Sequence, residues 1–305
     1  MTARAASHRD AAPSGGATLH RGVLPMRNHH ALKTCFLVFN FAVAVFVPVR
    51  AAGLVLVWSD EFNQPTHSAP DLTKWSYDLG HSNGWGNNEL ETYTDARTNS
   101  AIVPDPDATD GKALAITALK DASGRYTSAR LKTQRKFSVK YGRIEARLKT
   151  VNGRGLWPAF WMLGENLTAV GWPECGEIDV MEVVGDKPAV LHGTLHGPGY
   201  SGGNGIGSTY TLSNGATFDS AYHVFAVDRS PGKIVWSVDG NVYHTVTPAS
   251  LPIGTRWVFD NAPFFLLLDL AVGGNWPGMP DRSTTFPQSL VVDYVRVYSL
   301  PQPGH

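Results

Sequence analysis

From Gly53 onward, no stretch of this chain keeps its apolar residues at a helical period for any useful length. Short β-rich runs take the place of helices, each ended by Gly, Pro, Asn or Asp. They are Val55–Ser59, Ala113–Leu119, Tyr126–Thr133, Lys140–Thr150, Phe160–Leu163, Glu177–Val184, Leu191–His196, His223–Asp228, Lys233–Val238, Asn241–Val246, Phe264–Val272 and Leu290–Tyr298. About a dozen strands with turn signals between them read as one all-β sandwich, a class that often runs to about 250 residues as a single domain. Tyr141–Lys149 shows the expected alternation, with Ile144, Ala146 and Leu148 on one face and Arg143, Glu145, Arg147 and Lys149 on the other. Asp239-Gly240, between two such runs, is a hairpin turn of the Asp-Gly type. No internal repeat or second-domain linker is visible, and Pro301–His305 reads as a frayed tail.

One of these runs carries chemistry. Trp172 to Gly185 reads WPECGEIDVMEVVG and holds Glu177, Asp179 and Glu182. Glu177 and Asp179 are two apart and share a strand face, whereas Glu182, three further on, falls on the other face of a regular strand. A β-bulge at Val180 or Met181 would reset the alternation and line up all three acids. With the bulged residue discounted, Glu177 and Glu182 are four strand steps apart, roughly 13 Å between Cα atoms at about 3.3 Å per residue. On a concave sheet the side chains lean inward and narrow that gap toward the roughly 5 to 5.5 Å that a retaining glycosidase needs. Three acids on one strand also fit a solvated face. Against that stand Ile178, Val180, Met181, Val183 and Val184, which make the strand apolar enough for an unpaired carboxylate to be costly.

Charge narrows the function classes. Formal charge is zero overall, but residues 1–52 hold six basic residues and one acidic, leaving 20 basic against 25 acidic beyond them, a net of −5. That balance does not describe a nucleic-acid binder. Residues 27–52 have the parts of a secretory signal: Arg27 and Lys33, an apolar run from Cys35 to Val47 broken by Asn40, and Val49-Arg50-Ala51-Ala52 for cleavage. The expectation is a start at Met26, with residues 1–25 a mis-assigned extension, and a mature N-terminus at Ala52 or Gly53. An uncleaved anchor with a short cytoplasmic tail is the alternative. The apolar run is short for a membrane span. Either way the folded part lies outside the membrane, secreted or periplasmic. Cys35 falls in the leader and Cys175 is the other cysteine, so the mature chain has no internal bridge; Cys175 reads as a small buried hydrophobe.

Nine Trp and ten Tyr exceed what packing alone requires. Several cluster with amides at strand ends and loops: Trp85-Gly86-Asn87-Asn88-Glu89, Leu156-Trp157-Pro158-Ala159-Phe160-Trp161, Gly193-Thr194-Leu195-His196-Gly197 and Gly273-Gly274-Asn275-Trp276-Pro277-Gly278. Each alone is weak, since a Trp in a sandwich is more often core and a lone His usually structural. Together they supply a saccharide cleft, with aromatic faces for sugar C–H surfaces and amides and Arg for hydroxyls.

With those residues in view, the chain resembles glycoside hydrolase family 16, and within it the bacterial laminarinases, which are endo-β-1,3-glucanases. The resemblance runs from Trp58-Ser59-Asp60-Glu61-Phe62 to Val292-Asp293-Tyr294-Val295-Arg296-Val297-Tyr298. It rests on GWGNNELETYT from Gly84, SARLKTQ from Ser128, YGRIEARLK from Tyr141, GLWPAFWMLG from Gly155, GEIDVME from Gly176, GTLHGPGYSGG from Gly193 and LAVGGNWPG from Leu270. It implies a β-jelly roll (concanavalin A-like) of two stacked sheets with a concave substrate cleft, spanning residues 53–300. It implies retaining hydrolysis without a catalytic cofactor, with Glu177 as nucleophile, Glu182 as acid/base and Asp179 as the helper between them. Trp157, Trp161, Trp172, Asn88, Arg130, His196 and Trp276 match positions that shape sugar subsites. Glu61, Gly111 and Asp293 match a structural calcium site on the convex side. The five-residue step from Glu177 to Glu182 is similar to the laminarinase branch; lichenases have it one shorter.

The sequence departs from the family at Asp228-Arg229, at Asp269 and at Arg135, none of which is expected to touch the acids. The implied partner is a β-glucan, with no nucleic acid, no stable membrane insertion once the leader is cleaved, and a monomeric chain. Other family specificities, a mixed-linkage β-1,3-1,4-glucan or a galactan, stay open. So does a non-catalytic glucan-binding protein, which retention of all three acids disfavours.

Overall fold

The computed structural model describes residues 53–300; the expected leader in residues 1–52 and the tail 301–305 lie outside the described residues. Seventeen strands are present among the described residues. In chain order they are β1 Val55–Asp60, β2 Ser76–Asp78, β3 Glu91–Tyr93, β4 Ser100–Pro104, β5 Lys112–Lys120, β6 Tyr126–Ser128, β7 Arg130–Lys132, β8 Gly142–Lys149 and β9 Leu156–Gly164. They continue with β10 Glu177–Val183, β11 Val190–His196, β12 Ile206–Thr211, β13 His223–Ser230, β14 Lys233–Val238, β15 Asn241–Val246, β16 Phe264–Val272 and β17 Gln288–Ser299. They form two sheets. A ten-stranded outer sheet runs β15-β14-β13-β8-β17-β5-β6-β3, with β1 on β17 and β4 on β5. A seven-stranded sheet runs β12-β11-β10-β9-β16-β7-β2. The all-β sandwich holds, and the fold is the jelly roll. Among the described residues no helix is long and apolar enough to cross a membrane.

Alternation builds the core. On β8, Ile144, Ala146 and Leu148 point inward as expected, and they meet Phe160 and Met162 of β9 and Leu266, Leu268 and Leu270 of β16 in one cluster. Each such side chain contributes about 1.5–3 kcal/mol on burial. The Asp239-Gly240 hairpin is also as expected: both residues have positive φ, 49° and 79°, joining β14 to β15.

Two expectations need correction. Tyr126–Thr133 is two strands rather than one. The chain breaks at buried Ala129, with β6 pairing β5 in the outer sheet and β7 pairing β16 in the other. The run Phe160–Leu163 is the inner part of a longer strand that starts at Leu156. The strands β2, β3, β4 and β12 had no counterpart in the sequence reading, three of them because they are short. β12, IGSTYT, hides a clean alternation of half-buried and exposed residues behind Gly and polar side chains.

Candidate active site

The strand that carries the three acids, β10, is irregular where their alignment requires it. Against β9, Asp179 pairs with Trp161 and Met181 with Phe160, two residues against one. Against β11, Asp179 pairs with Thr194 and Glu182 with His192, three against two. Val180 is therefore the extra residue. Its consequence is visible in the core, where the neighbours Val180 and Met181 are both buried on the inner side. Glu177, Asp179 and Glu182 consequently share the opposite face and line one cleft of about 1210 Å³ on the seven-stranded sheet.

Cross-strand pairing sets the floor of that cleft. One row runs His192, Glu182, Ala159, Asp269, Arg130 and Asp78 across β11, β10, β9, β16, β7 and β2. The next row on the same face carries Thr194, Asp179 and Trp161. Trp157 and Trp161 share the cleft face of β9 with small Ala159 between them, which leaves open floor beside Glu182. Gly205, which lines the cleft, has no room for a side chain, since a Cβ there would lie 2.5 Å from His196 Cε1.

Three indoles hold carboxyls. Trp172 Nε1 donates to Glu177 Oε2 at 2.9 Å, Trp157 Nε1 to Glu182 Oε1 at 3.0 Å, and Trp161 Nε1 to Asp269 Oδ1 at 2.6 Å. Trp172 and Trp276 are 47% and 43% exposed, so both present ring to solvent at the cleft mouth. Trp276 stands edge-on to Trp157 at 5.3 Å and to His192 at 4.9 Å. Arg130 lies between the rings of Trp85 and Trp161, 4.9 and 4.7 Å from their centroids, and pairs with Asp78 at 3.1 Å. His196 Nε2 lies 3.1 Å from Asp179 Oδ2 and 3.7 Å from Glu177 Oε1.

These carboxyls are uphill to ionise. Burial, and then the charge of Asp179, push Glu177 up to about 8, against the favourable pull of His196, Trp172 and Arg130. Glu182 and Asp179 are held well above their ordinary range, chiefly by burial. Asp179 adds to the rise of Glu182, and Asp269 to that of Asp179. Among the described residues, Glu177, Asp179 and His196 are the one group of three such side chains close enough to share a cation, their atoms within 4.8 Å of one another. Of these, the two carboxyls are close enough to couple their protons.

All but one of the subsite residues expected from sequence line the cleft. Asn88 does not: it is exposed, its amide donates to Asn275 Oδ1 at 2.9 Å, and its neighbour Asn87 takes the cleft position. Trp85, Glu89 and Thr194, named from sequence only as parts of cleft-forming stretches, line the cleft as well, and so do His192 and Asp269, which sequence did not place there. Asp269 is among the departures not expected to touch the acids, and it bonds Trp161 and Tyr93 rather than any of the three. It nonetheless lies in the floor row, from where its charge raises Asp179. The signal for it was a lone acid in the apolar run FFLLLDLAV. Tyr93 hydroxyl sits between Asp269 Oδ2 at 3.4 Å and Glu89 Oε2 at 3.3 Å. Burial and the charge of Glu91 push Glu89 up to about 8, and burial with the charge of Glu89 takes Asp269 to about 7 despite Arg130.

The residues matched to calcium stand apart from this cleft, and their carboxylates are occupied. Arg296 Nη2 donates to Glu61 Oε2 at 2.7 Å, while Asp293 accepts from Thr109 Oγ1 at 2.6 Å and from Arg147. A cation there would bind through backbone carbonyls or displace an arginine, so the fit is partial. Cys175 is buried and its thiol is pushed up to about 11 by that burial, which matches the reading of a packed hydrophobe.

A cleft of this kind has relatives. The sequence model of "Glycosyl hydrolases family 16" matches residues 91–296. A beta-glucanase of Rhodothermus marinus is 43% identical over 254 residues, covering 80% of this chain and 84% of the relative. The endo-beta-1,3-glucanase structure from Pyrococcus furiosus is 47% identical with a TM-score of 0.73, covering 82% of this chain and 96% of that one. The catalytic domain of an endo-1,3-beta-glucanase (laminarinase) from Thermotoga petrophila is 45% identical with a TM-score of 0.74, covering 82% and 99%. With the strand, the acids and the cleft in place, the chain belongs to glycosyl hydrolases family 16 and is a glycoside hydrolase.

Proposed function

We propose that this enzyme is a secreted endo-β-1,3-glucanase acting on laminarin-type glucan by double displacement with retention. The observation that carries this reading is the Val180 bulge, which sets Glu177 and Glu182 on one cleft face with Asp179 between them. Trp172, His196 and Arg130 pull Glu177 toward its carboxylate, which suits a nucleophile, and burial holds Glu182 well above the ordinary carboxyl range, which suits an acid. In the first step Glu182 gives its proton to the leaving glycosidic oxygen as the Glu177 carboxylate attacks the anomeric carbon. In the second, Glu182 takes a proton from water, whose oxygen displaces Glu177 and restores both groups. Asp179, with His196 beside it, keeps a proton in the group so that three close carboxyls do not all ionise. The exposed rings Trp172 and Trp276 and the cleft rings Trp157 and Trp161 give the sugar its stacking surfaces.

The β-1,3 linkage is drawn from the relatives' named activities and from the five-residue step between Glu177 and Glu182. Secretion rests on the sequence of residues 27–52. A monomer, and a structural calcium bound largely through carbonyls near Glu61, Gly111 and Asp293, complete the reading; no catalytic step passes through the ion. The test is a product profile on laminarin, mixed-linkage glucan, agarose and carrageenan, with the anomer followed by NMR at early times. Laminarin should turn over fastest and release β-anomers first. Faster cleavage of a galactan would replace the substrate, and α-anomers first would replace the mechanism.

A further inference from the structure

Both ladders of β10 lose register at one place, just after Asp179. A strand with an extra residue is free to pass that residue to a neighbouring position, and a one-residue slip turns its side chains to the other face. Something must hold the bulge, and the structure places a bond from the opposite sheet there. Trp236 of β14 is fully buried, and its indole Nε1 donates to the Asp179 carbonyl at 2.8 Å.

The surroundings are shaped for that bond. On β11, Gly193 lies between Thr194, the partner of Asp179, and His192, the partner of Glu182. A Cβ at Gly193 would stand 2.7 Å from Trp236 Cδ1, 3.0 Å from its Nε1 and 2.4 Å from the Tyr243 hydroxyl. The outer sheet has its own irregularity here. Trp236 pairs with His244 and Ser237 with Val242, which leaves Tyr243 as the extra residue of β15. The Tyr243 hydroxyl is buried with no hydrogen-bond partner among the described residues, and the His244 ring backs Trp236 at 4.8 Å.

We propose that Trp236 is a positioning residue: its bond to the Asp179 carbonyl pins the catalytic bulge, and Gly193 together with the bulged Tyr243 leaves the space for it. This rests on the glycosidase reading of Glu177 and Glu182. Those acids need placement to within about an ångström, and losing it costs on the order of 100-fold in rate.

The experiment compares three variants of the full chain. Trp236→Phe keeps a ring and removes the N–H. Gly193→Ala keeps the N–H and pushes the indole off its acceptor. Trp75→Phe is the control, a fully buried indole that donates to Asp60 Oδ2 at 2.8 Å and does not line the cleft. Trp236→Phe and Gly193→Ala should each lower kcat on laminarin by about 10- to 100-fold, with KM and oligosaccharide Kd within about twofold of wild type. Trp75→Phe should lower Tm and leave kcat alone. Wild-type kcat in Trp236→Phe, or kcat, KM and Tm falling together in both indole variants, overturns the proposal. If Trp236→Phe does not fold, Gly193→Ala decides, and unchanged kcat there overturns it. A wild-type enzyme inactive on laminarin sinks the substrate reading instead, and the same ratios are then read on whichever glycan of the panel it cleaves.

Discussion

On the outer sheet and at the ends of its strands, five carboxylates are paired with cations. Arg143 bonds Glu145 at 2.8 Å and Asp228 at 3.1 Å, Lys149 bonds Asp105 at 2.8 Å, Arg296 bonds Glu61 at 2.7 Å, and Arg147 bonds Asp293. In the cleft, Glu177, Asp179, Glu182, Glu89 and Asp269 line one surface, while the nearby cations Arg130 and Lys132 are both paired with Asp78. Burial opposes ionisation on both sheets, and the partners decide the outcome. Burial alone would raise Asp105, but Lys149, the Asp107 amide and the Tyr222 hydroxyl outweigh it and hold its carboxyl below the ordinary range. Asp269, with Arg130 already shared, goes up to about 7. An acid on a strand is thus a structural ion pair or a proton-bearing group according to what is opposite it.

The sharpest way to break the comparison is one chemical change made on each sheet. Glu182→Gln should cost about 10²- to 10⁴-fold in kcat, the usual worth of a general acid. Its stability should match wild type near pH 4 and exceed it as pH rises, because the folded protein holds this carboxyl well above its ordinary range. Glu145→Gln should keep kcat near wild type and lose about 1–3 kcal/mol of stability, since Arg143 loses a charged partner. Kinetics beside denaturant unfolding read both, and a stability loss without a rate loss in Glu182→Gln would reverse the assignment.

A second contrast sets a cleft ring against a core ring. Trp161→Ala should lower kcat/KM at least about 10-fold, or about 1.4 kcal/mol, with a small change in Tm. Trp75→Ala, fully buried, should cost about 3–5 kcal/mol of stability. A Tm drop in Trp161→Ala as large as in Trp75→Ala would make the cleft ring a core ring.

How much of this was readable beforehand follows from which contacts are local. The bulge was readable because Glu177, Asp179 and Glu182 lie within six residues and their odd spacing admits one repair. The sandwich was readable from alternation, as on β8. The acid group of Glu89, Tyr93 and Asp269 was not, because its members are brought together across 176 residues of chain by β16. Asn87 and Asn88 could not be told apart either. Spacing does not say which of two adjacent amides faces the cleft, and Asn88 turns away in a left-handed conformation, φ 58°. The break at Ala129 was hidden because its neighbours on both sides read as strand, and only the change of partner sheet divides them.

Asp269→Asn sharpens the electrostatic half of the comparison. The amide keeps an acceptor for Trp161 Nε1 and removes the charge. The carboxyl binds its proton more tightly folded, at about 7, than at its ordinary 3.8, so its contribution to stability is full below about pH 4 and is lost as pH rises toward 7. The variant should therefore match wild type near pH 4 and be more stable by roughly 4 kcal/mol at pH 7, about 1.4 for each unit of the rise. Unfolding curves across that range check it, and a variant less stable at pH 7 than at pH 4 relative to wild type would contradict it.

The smallest effect belongs to the outer sheet. With Glu61 and Asp293 already paired, calcium has mainly carbonyls to bind, and at a free concentration equal to its Kd it adds about 0.4 kcal/mol. Chelation should lower Tm slightly and calcium should restore it, with kcat per folded enzyme unchanged. A Tm indifferent to both removes the site.

The most direct test of the central claim, that Glu177 attacks and Glu182 shuttles the proton, is the configuration of azide products from the two alanine variants. Each is assayed with an activated β-glycoside of a β-1,3-linked oligosaccharide. Glu177→Ala with azide should regain activity and give the α-azide, because the anion enters from the side the nucleophile has vacated. Glu182→Ala with azide should give the β-azide, by attack on the glycosyl-enzyme at Glu177. The account is contradicted if the two configurations come out exchanged, or if either variant without azide keeps near wild-type turnover on laminarin.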